Sequence, residues 1–317
     1  MMNRLYGYIY RARINSHAAN GSARIKAKLL DLLYRQLSSI VDPLVTFEIN
    51  GFPMRMPFSH KLPFYLKEFP GYCANLARIT KITRNKYPDF TLIDVGANIG
   101  DSLALLRKIG DFPVLCIEGD ELFFGILKRN AGQFANVKLL RAYAGEENTC
   151  LSAAAKRHDG TAHLSDTPQE DPLVRIGRLP DLIGPDERFI DPRMIKIDTD
   201  GYDCKVIRGA ADLLARAKPV LFFEYDPYFL AEHNDDGISI FRQLSDIGYE
   251  QMLVYDNFGK FLFSLRTAQE SLIRDLHNEF SGHQGKKYCD ICVFNRRDND
   301  IFAAAKEREV GAASCIL

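Results

Sequence analysis

Four carboxylates stand where short apolar runs end: Asp94 in TLIDVG, Glu118 in PVLCIEG, Asp198 in RMIKID and Glu224 in PVLFFEY. Acids in such places are set for hydrogen bonding and proton transfer, because parallel α/β sheets bind ligands beyond the carboxyl ends of their strands. Around the first of them the chain reads Asp94-Val-Gly96-Ala97-Asn98-Ile-Gly100-Asp101. Small residues let such a loop turn tightly and bring the backbone close to a ligand, with the N–H groups of the next helix facing it. A dinucleotide site wants G-x-G-x-x-G, which seats a pyrophosphate on that helix end. Here the spacing is G-x-x-x-G, and a carboxylate at the strand tip repels a pyrophosphate and suits an ammonium group.

Glu118 follows Asp94 by 24 positions. An acid at about that distance accepts hydrogen bonds from the two ribose hydroxyls of an adenosine ligand. Ammonium plus ribose, without pyrophosphate, describes S-adenosylmethionine. The residues expected to hold it are Asp94, Gly96, Ala97, Asn98, Gly100, Asp101, Glu118 and Gly119. The competing reading makes Asp94 a cap of the following helix and Glu118 a solvated strand-end acid.

These residues need a scaffold, and the pattern around them supplies one. From about residue 91, short β runs alternate with helical stretches, the mark of a parallel α/β sheet. Strands are expected over 91–96, 113–119, 137–144, 193–198, 219–225, 251–256 and 286–294, with helices over 102–109, 121–133, 202–217, 238–247 and 269–280. That is a seven-stranded, mostly parallel, Rossmann-like sheet with helices on both faces. Residues 146–190 break the rhythm and read as an insertion or lid. Upstream, a helix near 27–40 precedes alternating apolar residues on both sides of Asn50-Gly51, a strong hairpin signal. The expected division is an N-terminal cap over 1–85, the α/β domain over 86–299 and a tail over 300–317.

Composition narrows the classes. The chain has 317 residues, 46% of them hydrophobic and 26% charged, as in ordinary globular proteins, and is long enough to bury a large core. Basic and acidic side chains balance at 41 each, which disfavours a nucleic-acid partner. The balance is uneven locally: residues 1–40 hold seven basic side chains against Asp31, a net +6 that leaves −6 for the rest. A basic arm of this kind suits contact with phosphate, with anionic lipid at a membrane periphery or with a partner, or is simply a solvated N-terminus. No run of about 18 apolar residues exists to span a membrane. Seven scattered cysteines and no secretory leader point to a reducing cytoplasm. Cys289 and Cys292 lie three apart in one β run, so they point to opposite faces and read as core.

Asp94–Asp101 (DVGANIGD), Ile117–Gly119 (IEG), 195–209 (IKIDTDGYDCKVIRG) and 220–224 (VLFFE) resemble the FkbM family of S-adenosylmethionine-dependent methyltransferases. The resemblance covers about residues 70–295, and its middle block is the most specific part. Two departures stand out: Glu118 is followed by Gly119 where the family often has proline, and Asp200 and Asp203 replace glutamates. The resemblance implies a class I methyltransferase fold and methyl transfer, usually to oxygen on a sugar, glycan or other secondary metabolite, with many relatives tied to polysaccharide biosynthesis.

For a hydroxyl acceptor, a base near the oxygen helps as charge shifts. Asp198 is the candidate to orient or deprotonate that hydroxyl, and Glu224 to bind a second one. The alternatives are an N-cap for Asp198 and an ion pair with Lys196 or Arg193 for Glu224. His163, with His158, sits in the insertion and is a further candidate base. No metal-ligand set is evident. Strand-end acids holding Mg²⁺, an N-directed small-molecule methyltransferase and a non-catalytic S-adenosylmethionine-binding module are the competing functions. Tyr225, Tyr228 and Phe229 are candidates to stack on a sugar ring. The acceptor's identity and the oligomeric state are not legible in the sequence.

Overall fold

Helix α1 (Ser22–Ile40) leads into a hairpin of β1 (Leu44–Ile49) and β2 (Phe52–Pro57), followed by α2 (Leu62–Glu68) and α3 (Ala74–Lys86). Asn50 and Gly51 turn the hairpin at φ +55° and +88°, the left-handed pair that a two-residue turn requires. The computed structural model describes residues 6, 8–10, 12, 22–152, 154–158, 161–165 and 173–314, with side chains for all of these but 22–27, 31, 39, 151–174 and 312–314.

The α/β body opens with β3 (Leu92–Val95), α4 (Asp101–Arg107), β4 (Val114–Glu118), α5 (Glu121–Ala131) and β5 (Val137–Arg141). A short β6 (Tyr143–Ala144) follows, and the expected insertion then supplies β7 (Thr149–Ser152), β8 (Ala154–His158), β9 (Thr161–Ser165), β10 (Leu173–Gly177) and α6 (Leu179–Ile183). Here β10 pairs with β6 and β7 in a small sheet, and β8 with β9 in a hairpin. The body resumes with β11 (Met194–Ile197), α7 (Asp203–Gly209), α8 (Ala211–Ala217), β12 (Val220–Tyr225), α9 (Pro227–Glu232) and α10 (Ser239–Asp246). It closes with β13 (Tyr249–Asp256), β14 (Phe261–Arg266), α11 (Glu270–Phe280), β15 (Cys289–Asn295) and α12 (Asn299–Ser314).

The main sheet has the order β14-β13-β15-β12-β11-β3-β4-β5. Strands β12, β11, β3, β4 and β5 run parallel, whereas β15, β13 and β14 pair antiparallel. The chain builds outward from β3 to β5, then returns to β11 on the other side of β3. That reversal leaves a crevice at the carboxyl ends of β3 and β11. The sheet is Rossmann-like, as the alternation of β runs and helices leads one to expect, with eight strands rather than seven. The eighth, β14, is a half-exposed edge strand, so it lacks the continuous apolar run of a buried strand.

Period-two alternation along the strands feeds two cores. Ile93, Val95, Leu115, Ile117, Ile195 and Ile197 face α7, α8, α10 and α11. Leu92, Val114, Cys116, Met194, Val220 and Phe222 face α3, α4, α5 and α12. Cys289 lies in the first core and Cys292 in the second, on opposite faces of β15. Residues 300–314, expected as tail, belong to α12, which buries Ile301 and Ala305 and sets Glu309 2.7 Å from Arg78. The hairpin packs on α4 and α5 through Met54, Met56, Ala104, Phe123 and Ile126. Asn130 clamps it in place, exchanging two 2.8 Å hydrogen bonds with the Arg55 backbone.

Candidate functional site

The loop after β3 folds as its residue types demand. Gly96 sits at φ +79°, and a Cβ there would lie 1.7 Å from the Asp198 carbonyl oxygen, so only glycine lets the ends of β3 and β11 approach. Its N–H and that of Ala97 donate to the Ile117 carbonyl at 2.9 and 3.0 Å. Asn98 takes φ +47° and Gly100 +87°, after which α4 begins.

Glu118 closes β4 facing this loop. Its Oε2 accepts from the Asn98 backbone N–H and its Oε1 from the Asp120 N–H, both at 2.8 Å. Burial pushes its carboxyl up to about 7, against the pull of those two donors. Gly119 leaves room for the Tyr143 ring, 2.3 Å from where a Cβ would stand.

Asp94 and Lys196 are direct cross-strand partners on β3 and β11. Lys196 Nζ lies 3.0 Å from Asp94 and 3.2 Å from Asp198. Asp94 is fully buried, and the ammonium it was expected to meet on a ligand is supplied at this carboxylate by Lys196. Burial raises the Asp94 carboxyl, opposed by that same lysine. Lys196 is held well above its ordinary range by the surrounding Asp198, Asp94 and Asp101, which outweigh its burial.

Beyond β11, Asp203 organises the turn, its two oxygens accepting from the Thr199 and Gly201 N–H groups at 3.1 Å each. Asp198 makes no capping hydrogen bond among the described residues; its side chain is 45% exposed and paired with Lys196. Burial and the neighbouring Asp198 push Asp200 up to about 8 and Asp203 to about 7. Glu224 ends β12 at 8% exposure. No hydrogen bond or ion pair reaches it among the described residues. Lys196 turns to the two aspartates, and Arg193 to Asp89 and Asp191. Burial, then Asp198 and Asp200, raise the Glu224 carboxyl well above the usual range.

A pocket of about 170 Å³ joins these groups. Gly96, Asn98, Asp101, Glu118 and Gly119 line one part, with Lys196, Asp198, Asp200 and Glu224 on the other. Asp94, Ala97 and Gly100 lie behind the wall, buried. His158 and His163 fall on β8 and β9, whose side chains are outside the described residues. Tyr225 is wholly buried, its hydroxyl 2.8 Å from His277 Nδ1, and neither Tyr228 nor Phe229 reaches the pocket.

The sequence reading missed the contribution of the cap. His60, Leu62, Tyr65, Tyr72 and Cys73 all line the pocket, as does Tyr288. The Leu62 N–H donates to His60 Nδ1 at 3.2 Å, so the ring proton sits on Nε2, which is buried with no hydrogen-bond partner among the described residues. Burial lowers this imidazole to about 4, opposed by the Asn98 side chain, and keeps it neutral. Thr199 Oγ1 is a second buried polar atom on the wall without a partner among the described residues. Among the described residues no three His, Cys, Asp or Glu side chains converge to hold a metal ion.

Comparison with known proteins gives the segment a family. Residues 94–250 match the methyltransferase FkbM domain. This segment belongs to the FkbM methyltransferase family. The match begins at the loop aspartate and runs through Glu118, Asp198 and Glu224 into β13. An FkbM methyltransferase of known structure from Methylobacillus flagellatus is 22% identical over 52% of this chain and 40% of its own, at a TM-score of 0.37. The chain thus spans less than half of that protein. The METTL16 methyltransferase domain is 12% identical over 92% of this chain and 91% of its own, at 0.43. A SAM-dependent methyltransferase from Aquifex aeolicus is 13% identical over 65% and 82%, at 0.34. No curated protein matches the chain.

Proposed function

We propose that this FkbM protein is an S-adenosylmethionine-dependent O-methyltransferase whose acceptor is a hydroxyl of a sugar, glycan or related metabolite. The observation that carries this is the meeting, in one pocket, of the Asn98–Glu118 pair with Asp198 and Glu224. The two unpartnered polar atoms, His60 Nε2 and Thr199 Oγ1, are groups that a bound polar ligand would satisfy. When bound, S-adenosylmethionine supplies a methyl group on an already activated sulfonium.

Glu118 would hold the ribose hydroxyls, and Gly96, Asn98 and Asp101 the adjoining part of the cofactor. The protein's remaining work is to align the acceptor and exclude water. Asp198, paired with Lys196 at 3.2 Å, takes the acceptor's proton. Glu224, whose carboxyl burial raises well above the usual range, hydrogen-bonds a neighbouring acceptor hydroxyl. Asp101, Glu118, Asp198, Asp200 and Glu224 face one already paired lysine. With that lysine already paired, no lysine or arginine among the described lining residues is left to receive an anionic acceptor group, which suits a neutral hydroxyl. Among the described residues no helix is long and apolar enough to cross a membrane. The six described cysteines are free thiols, which fits a reducing cytoplasm.

The test is calorimetric titration with S-adenosylmethionine and S-adenosylhomocysteine, followed by radiolabelled methyl transfer to a panel of glycosides and amines. Micromolar binding lost in Glu118→Ala, with label on a glycoside oxygen, supports the proposal. No binding, or label only on amines, overturns it.

A further inference from the structure

The exposed face of α1 does not match that of a helix facing water. Leu30 and Tyr34 are buried in the cap core, with Leu37 packed against it. On another side Leu29 (57%), Leu32 (54%), Leu33 (44%) and Ile40 (78%) are exposed. Their spacings of three, four and eleven from Leu29 stack them into one stripe along the helix. Val41, directly after the helix, and Tyr8 are also exposed. Lys28 and Arg35, seven apart and both exposed, share the flank beside Leu32.

We infer that α1 is an interfacial helix that docks on an anionic lipid surface, with its leucine stripe entering the headgroup boundary and its cations meeting the lipid charge. An apolar stripe bordered by Lys and Arg is the pattern such helices carry. Charge complementarity selects the occupant. In sequence, residues 1–40 carry a net +6 while the remainder carries −6, and Lys28 and Arg35 set two of those cations beside the stripe, which favours an anionic surface. A second copy of the chain would instead bring two cationic flanks together.

The docking face is tied to the pocket. Tyr34 Oη donates to the Ser59 carbonyl at 2.8 Å, and Tyr10 Oη to the carbonyl of His60, which lines the pocket. Asp42, just past the helix, accepts from the Ser59 N–H at 2.7 Å and from its hydroxyl at 2.8 Å. A helix seated on lipid would hold the pocket at a fixed relation to the membrane face. This inference does not depend on the methyl-transfer proposal.

The experiment is co-sedimentation of the full chain with phosphatidylcholine vesicles, with and without 30 mol% phosphatidylglycerol (roughly the anionic content needed to set up a surface field). Binding is expected only to the anionic vesicles and is expected to weaken with added salt. K28E/R35E should weaken it at least about tenfold, since each cation near the surface counts, and L32Q/L33Q should abolish it. Circular dichroism checks the fold of both variants; if L32Q/L33Q unfolds, the fully surface-borne K28E/R35E change still decides. No binding, equal binding to neutral vesicles, or a concentration-dependent dimer that L32Q/L33Q dissolves would each overturn the inference.

Discussion

The Asn98 backbone N–H donates to Glu118 Oε2 at 2.8 Å, tying the glycine loop after β3 to the end of β4. That bond orients the carboxylate that the proposal places on the cofactor ribose. Replacing Glu118 by alanine removes charged hydrogen bonds of about 1.5–3 kcal/mol, so affinity for S-adenosylhomocysteine should fall roughly 10- to 150-fold. Only the ionised carboxylate accepts from two hydroxyls. With Glu118 pushed up to about 7, affinity should weaken as pH falls from 8 to 6. Calorimetry at those pH values checks both; pH-independent binding in the wild type would remove Glu118 from the cofactor site.

Gly96 and Gly125 make a matched pair of substitutions. At Gly96, φ is +79° and a Cβ would stand 1.7 Å from the Asp198 carbonyl oxygen. Strain and overpacking together should cost about 3–5 kcal/mol in Gly96→Ala. Gly125 lies in α5 with open space around it, and Gly125→Ala should add about 0.5–1 kcal/mol of stability. Urea denaturation of both variants measures the contrast.

The acids around the pocket should make the ligand-free protein less stable in mild base. Glu118, Asp203 and Asp290 are raised to about 7 and Asp200 to about 8, in each case first by burial. A carboxyl raised on folding binds more protons folded than unfolded, so its contribution is lost as pH climbs from the ordinary carboxylate range to the raised value. His60, lowered to about 4 from 6.5, acts in the opposite sense below pH 6.5. The cleaner window is therefore pH 6.5–8.5, across which Tm should decline. Asp200→Asn should flatten the decline. A Tm that rises across that window would contradict this electrostatic picture.

The sheet and the loop were legible because their signals are local. Asp94, Gly96 and Glu118 sit at the ends of apolar runs whose alternation with helices sets strand order and handedness. The Asp94–Lys196 pair was hidden because its partners are 102 residues apart and meet only through the β3–β11 register. Nothing near Asp94 in sequence says that its charge is answered from within. His60 was hidden for a related reason: it follows the hairpin as a lone histidine, and only the packing of the cap on α4 and α5 brings it to Asn98. Edge strand β14 carried a weak alternation, Phe261, Phe263 and Leu265, which partial exposure obscured.

Asp198 separates cofactor binding from catalysis. Its carboxylate lies 3.2 Å from Lys196 and is 45% exposed toward the pocket, so its removal disturbs no buried packing. Asparagine keeps the shape and one acceptor oxygen but cannot take a proton. A general base contributes about 10²–10⁴-fold, so Asp198→Asn should lower kcat by that order. Affinity for S-adenosylhomocysteine should stay within about threefold, because the charge-assisted contacts assigned to the cofactor lie on Glu118. Single-turnover methyl transfer beside calorimetry reads the two quantities separately. Near-normal turnover in Asp198→Asn would strip the residue of its base role, whereas loss of cofactor binding alone would place it on the cofactor side of the pocket.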